Sequence, residues 1–166
     1  RDIVQDLRRF SSNQEETAES FNITRLVRTA ADWVIKTQRV KPAVRLDIPD
    51  KLELRGRKGQ LHQIIVNLVQ NAADVLEGEP KGEIVVTGER VGGDVVIRVA
   101  DNGPGIPLER IDKIFEPFFT TKPIGAGTGL GLYVSYNMAM KQGGDLTAAN
   151  RPEGGAGFTV RVPADD

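Results

Sequence analysis

The segment LHQIIVNLVQNAADVLEG, residues 61–78, constrains the chain more than any other. At about 100° per residue, Leu61, Ile64, Ile65, Leu68, Val69, Ala72, Val75 and Leu76 share one broad apolar face. Gln63, Asn67, Gln70, Asn71 and Asp74 fall together on the opposite face. Solvent faces ordinarily carry Glu, Lys and Arg, because asparagine is a poor helix former. Two Asn one turn apart, with an Asp one turn further on, form a row of polar groups turned toward something. An amide oxygen is a hard ligand, suited to Mg²⁺ that is held together with substrate phosphates. A merely solvated amphipathic helix is the competing explanation of this segment alone.

The flanking pattern mixes strands and helices without strict alternation. Asp2–Ala18 is polar and helix-compatible, with Ile3, Val4, Leu7 and Phe10 on a thin stripe that expects a second helix beside it. Asn22 can cap a helix carrying Leu26, Val27, Ala30, Ala31, Val34 and Ile35 at core spacing. Val44–Ile48 reads as a strand ended by Pro49, with Leu52–Leu54 as its partner. After a helix over Lys58–Leu76 come strands Glu83–Glu89 and Asp94–Ala100, joined at Gly92-Gly93. A short helical piece is expected at Leu108–Phe115 and a longer one from Gly129 to Gln142, ended by Gly143-Gly144. Leu146–Ala149 and Phe158–Val162 close the chain as strands. The expected fold class is α/β, a two-layer sandwich with a mixed sheet packed against helices.

Two loops carry further chemistry. The strand VVIRVA runs into Asp101-Asn102-Gly103-Pro104-Gly105, where a carboxylate at a strand end can project into a cleft. Gly103 and Gly105 let backbone approach a flat ligand, and a carboxylate accepting from an exocyclic amine selects adenine over guanine. A tight turn explains DNGPG equally well on its own. The second loop, Gly125-Ala126-Gly127-Thr128-Gly129-Leu130-Gly131-Leu132, opens directly into a helix. Its backbone N–H groups can converge on an anion, Thr128 can cap or touch a phosphate, and Lys122 can supply countercharge. It is neither a P-loop nor a Rossmann turn, and a flexible linker is its competing reading.

Composition excludes several classes. The formal net charge is -1 over 166 residues and there is no cysteine. A large nucleic-acid footprint, a disulfide framework and thiolate metal sites are therefore not expected. No apolar run approaches the length of a membrane span. The domain itself is expected to be cytoplasmic, without membrane contact, and compatible with an inner-membrane-anchored parent.

In this order the segments resemble the GHKL (Bergerat-fold) ATPases, and among them the sensor histidine kinases. Asn67, Asn71 and Asp74 match the N box, and Asp101–Gly105 the first glycine box. Phe115-Glu116-Pro117-Phe118-Phe119-Thr120-Thr121-Lys122 matches the F box, and Gly127–Leu132 the second glycine box. Gly155-Ala156-Gly157-Phe158 is similar to a terminal glycine box, and the resemblance spans residues 50–163. The NAAD form of the N box is similar to the nitrogen-regulatory and dicarboxylate-sensor subgroup.

The resemblance implies ATP and Mg²⁺ between the N-box helix and a glycine lid. It assigns adenine to Asp101 with Thr159 in support, and Mg²⁺ to Asn71 with Asn67 nearby. Asp74, Gly103, Gly105, Lys122, Gly127, Thr128, Gly129, Leu130 and Gly131 complete the nucleotide set. Phe115, Phe118 and Phe119 are expected to pack the lid's hinge, with Phe118 or Phe119 a candidate contact for the partner helix bundle. Hydrolysing members carry a Glu where this chain has Asn67, and an amide is no general base. Asn67 is thus the catalytic position at which the γ-phosphate is spared from water.

The activity implied is protein-histidine kinase, with the acceptor histidine on a dimerisation domain absent from this chain. His62, the only histidine, lies beside the apolar face and is expected to be structural. Residues 1–21 are read as the remnant of that domain and 22–166 as the catalytic domain. A fragment of this kind cannot autophosphorylate alone. A response regulator downstream and a homodimeric parent follow from the family. A serine kinase of the anti-sigma-factor type and a degenerate nucleotide-binding scaffold are the alternatives.

Overall fold

Alternation of buried and partly exposed side chains along the longer strands decides the layering. In a strand successive side chains point to opposite faces, so one set must be covered. The computed structural model describes residues 16–117, 119 and 130–164. Its elements are β1 (Glu19–Asn22), α1 (Ile23–Ile35), β2 (Ala43–Asp47), β3 (Glu53–Gly56), α2 (Lys58–Val75), β4 (Glu83–Val91), β5 (Asp94–Asp101), α3 (Gly131–Lys141), β6 (Asp145–Asn150) and β7 (Ala156–Pro163). The main sheet has the order β2-β4-β5-β7-β6, parallel between β2 and β4 and antiparallel elsewhere. Ile84, Val86, Val95, Ile97, Val99, Phe158, Val160 and Val162 line its covered face. Against them lie Leu26, Val27 and Val34 of α1, Ile64, Ile65 and Leu68 of α2, and Val134 and Met138 of α3. Each such side chain contributes about 1.5–3 kcal/mol by leaving water. The expected two-layer α/β sandwich with a mixed sheet is the fold observed.

The ends of the elements follow local chemistry. Asn22 accepts from the Arg25 N–H at 2.8 Å and so caps α1. α3 closes in a Schellman arrangement, Gly144 N–H to Ala139 O at 2.9 Å and Gly143 N–H to Met140 O at 3.0 Å. The first turn of α2 has no cap from its own N-cap residue, Arg57. It is capped from afar: Glu16 accepts from the N–H groups of Gly59 at 2.6 Å and Gln60 at 2.9 Å.

Four features differ from the sequence expectations. Leu52–Leu54 does not pair with Val44–Ile48; β3 pairs with β1 in a separate two-stranded ribbon, and β4 takes the ladder of β2 in parallel. β1 escaped notice because ESFN holds a single apolar residue, Phe21. It also spans the expected boundary after residue 21, tying residues 19–21 to the body. Leu108–Phe115 forms successive turns, Arg110 N–H to Pro107 O and Lys113 N–H to Arg110 O, in place of a helix. Val75, assigned to the apolar face, is half-exposed in the last turn of α2, where it meets the loop after β5. The expected leading helix lies outside the described residues except for 16–18, which have no regular structure.

Candidate functional site

The polar face of α2 divides into two parts. Asn67 is 2% exposed and faces α3: its Nδ2 donates to Ser135 Oγ at 2.8 Å and to the Gly131 carbonyl at 3.1 Å. Its Oδ1 accepts from Gln63 Nε2 at 2.8 Å. Both ends of that amide are committed to holding two helices together. One turn on, Asn71 is half-buried and its side chain has no hydrogen-bond partner among the described residues. Asp74, further along the same edge, accepts from Gln70 Nε2 at 2.9 Å. The row that sequence periodicity treats as one face is therefore an internal latch followed by an open rim.

Asp101 closes β5 at the end of its alternating run, on the covered side of the sheet, and is 2% exposed. Its Oδ1 accepts from the N–H groups of Gly103 at 2.9 Å and Ala156 at 3.3 Å. Oδ2 has no partner among the described residues. Burial raises the Asp101 pKa above the ordinary carboxylate value, against the lowering effects of those two backbone bonds and of the Arg151 charge. Asn102 ties the following loop to the start of β4, accepting from Glu83 N–H at 2.7 Å and donating to Lys81 O at 2.9 Å. Gly103 sits against Val75 and Leu76 at the end of α2, so the loop and the rim of α2 share one edge of the molecule.

Asn71, Asp74, Asp101 and Gly103 are thus brought along the side of α2 that leads to the β5 loop, with Gly105 further along that loop. Thr159 does not join them. It occupies the uncovered face of β7, between Arg98 of β5 and Thr147 of β6, whereas Phe158 and Val160 point with Asp101 toward the helices. A one-residue step along a strand reverses the face, which excludes a direct Thr159 contact with a ligand at Asp101. Leu130 is 1% exposed, and its side chain belongs to the core. Gly131 opens α3 and accepts from Asn67. Lys122, Gly127, Thr128, Gly129 and Phe118 lie outside the described residues. Phe115 stacks on Tyr136 with centroids 5.3 Å apart and meets Phe158 edge-on at 6.3 Å, and Phe119 packs partly against the core. His62 meets Trp33 edge-on at 6.4 Å. Sequence reasoning missed Ser135, Asn150 and Arg151. The last two form the start of a short NRPEGG hairpin, which carries no periodicity to betray a role.

Residues 56–166 match the family of histidine kinase-, DNA gyrase B- and HSP90-like ATPases. The chain belongs to that family. It is 44% identical over 129 residues to the two-component sensor PprA of Pseudomonas aeruginosa, across 73% of this chain and 14% of PprA. It is 38% identical over 113 residues to the C4-dicarboxylate transport sensor protein DctB of Rhizobium meliloti, across 68% of this chain and 18% of DctB. The catalytic domain of histidine kinase ThkA superposes with a TM-score of 0.79 at 32% identity, over 89% of this chain and 96% of that domain. This GHKL domain therefore matches, in sequence and fold, the ATP-binding catalytic domains of sensor histidine kinases. It spans less than a quarter of the length of PprA and DctB. No helix among the described residues is long and apolar enough to cross a membrane.

Proposed function

We propose that this GHKL domain binds ATP with Mg²⁺ and delivers the γ-phosphate to a histidine on a helical dimerisation domain of the same parent protein. The observation that carries the reading is the division of the Asp101 carboxylate. Oδ1 is fixed by two backbone N–H groups, while Oδ2 is left to accept from the exocyclic amine of adenine. Guanine presents a carbonyl at that position, so the same oxygen would repel it.

Asn71 fits the metal: an unengaged, half-buried amide oxygen on the open rim is a hard ligand for an ion that arrives with phosphates. Bound there, Mg²⁺ would neutralise charge on the transferring phosphoryl group. Asn67 supports a kinase over a hydrolase. An amide is a poor proton acceptor, and its oxygen is already occupied by Gln63. Water is left without a general base at this position, and the γ-phosphate is retained for another acceptor. Residues ahead of β1 are read as the tail of the helical domain, the parent as a homodimer, and a response regulator as the next acceptor. An ATP-fed module of this kind works on the cytoplasmic side of an anchored parent.

Calorimetric titration with ADP and GDP, with and without Mg²⁺, tests the reading. Selective, Mg²⁺-strengthened ADP binding is expected, and Asn71→Ala should remove the Mg²⁺ dependence while the melting temperature holds. Equal affinity for the two nucleotides would sink the Asp101 assignment, and no binding of either would favour a degenerate scaffold.

A further inference from the structure

The loop that presents Asp101 has little structure of its own. Between Asn102 and Ile106 a single main-chain bond is described, Asn102 N–H to Glu83 O at 3.3 Å. Such a segment keeps its shape only if side chains supply what a ladder would. Asn102 holds one flank to β4. The other flank is held entirely by the β6–β7 hairpin, more than forty residues away along the chain.

There Asn150 makes a two-point clamp on Ile106, accepting from its N–H at 2.7 Å and donating to its carbonyl at 2.8 Å. Arg151 donates from Nη1 to the Asp101 carbonyl at 2.7 Å, and its Nε is paired with Glu153 at 2.9 Å. The guanidinium is thereby aimed from both sides, which a flexible ammonium would not be. The hairpin reaches this close because of glycine. A Cβ on Gly155 would stand 2.0 Å from the Asp101 carbonyl oxygen, and one on Gly105, at φ +84°, 2.9 Å from Asn150 Oδ1. The hairpin therefore grips both ends of the loop, Asp101 and Ile106, and Ala156 within it adds an N–H to the Asp101 carboxylate.

We propose that Asn150 and Arg151 are positioning residues for adenine recognition, fixing the backbone of the Asp101–Ile106 loop so that the Asp101 carboxylate is set before nucleotide arrives. The inference rests on the reading of Asp101 as the acceptor for the adenine amine. A preset carboxylate binds without the cost of ordering its loop, so freeing the loop weakens adenine binding even though neither side chain touches nucleotide.

The test is a double-mutant cycle of ADP affinity by calorimetry on this chain, with melting temperatures alongside. Arg151→Ala should weaken ADP about tenfold, the scale of one charge-assisted hydrogen bond. Arg151→Lys, which keeps a donor and the charge, should recover part of that loss. In an Asp101→Asn background Arg151→Ala should add little, because the carboxylate it positions is gone. Unchanged ADP affinity in a folded Arg151→Ala protein, or losses that simply add in the double variant, would overturn the proposal. Asn150→Ala, which leaves Arg151 and Asp101 intact, runs the same cycle if Arg151→Ala does not fold. Wild-type ADP affinity in Asp101→Asn would instead sink the adenine reading itself, a result distinct from any behaviour of Arg151.

Discussion

A carboxylate asked to accept a hydrogen bond from a neutral amine must stay ionised inside a covered edge of the sheet. In the proposed adenine contact that demand falls on Asp101, whose burial raises its pKa above the ordinary carboxylate value. The sign of the consequence is fixed. As pH falls through the raised pKa, Oδ2 ceases to be a free acceptor, so ADP affinity should drop at a pH above that of an ordinary Asp. Stability runs the other way for this group. A carboxyl whose folded pKa exceeds its unfolded one favours folding most when protonated, and that contribution is lost as pH rises through the folded pKa. Acid loss of ADP binding should therefore appear while the Asp101 contribution to stability is growing, measurable by titrations and thermal melts over the same pH series. Binding that survives until ordinary carboxylates titrate would count against Asp101 as the reader.

Elements, more than single residues, explain where sequence reasoning succeeded. α2 was legible because its apolar period spans five turns, and β4 and β5 because Ile84, Val86, Val95, Ile97 and Val99 alternate cleanly. The polar face of α2 was legible as polar and wrongly legible as uniform. Helical periodicity reports direction about one axis, and it cannot say that α3 will cover Asn67 while leaving Asn71 open. The covering element enters through Ser135, one serine in a helix of otherwise ordinary composition. That latch has a measurable strength. Ser135→Ala removes an acceptor from a buried amide and should lower the unfolding free energy by about 1–3 kcal/mol, read from denaturant melts. A change within error would mean that the Gly131 carbonyl alone satisfies Asn67. Thr159 failed for a simpler reason: a glycine-box match fixes neighbourhood to within a residue or two, and one residue along β7 is the whole distance between the two faces of the sheet.

At the scale of the molecule, the five sequence boxes identified the family and the sandwich, because each box carries its own backbone demands. The pieces between the boxes were the illegible ones. β1, the Glu16 cap and the Asn150–Arg151 hairpin act only through partners far away in sequence, and no local pattern encodes a remote partner. The Glu16 carboxylate on α2 makes this concrete. Glu16→Ala should cost about 1 kcal/mol, the usual worth of a helix cap, seen as a lower thermal midpoint. Its wider meaning concerns cut sites and fusions. A shorter version trimmed to begin at β1 would lose the counter-charge at the head of the helix that carries Asn71. Any protein spliced in front of this one should join ahead of residue 16, so that the Glu16 bonds to Gly59 and Gln60 are kept.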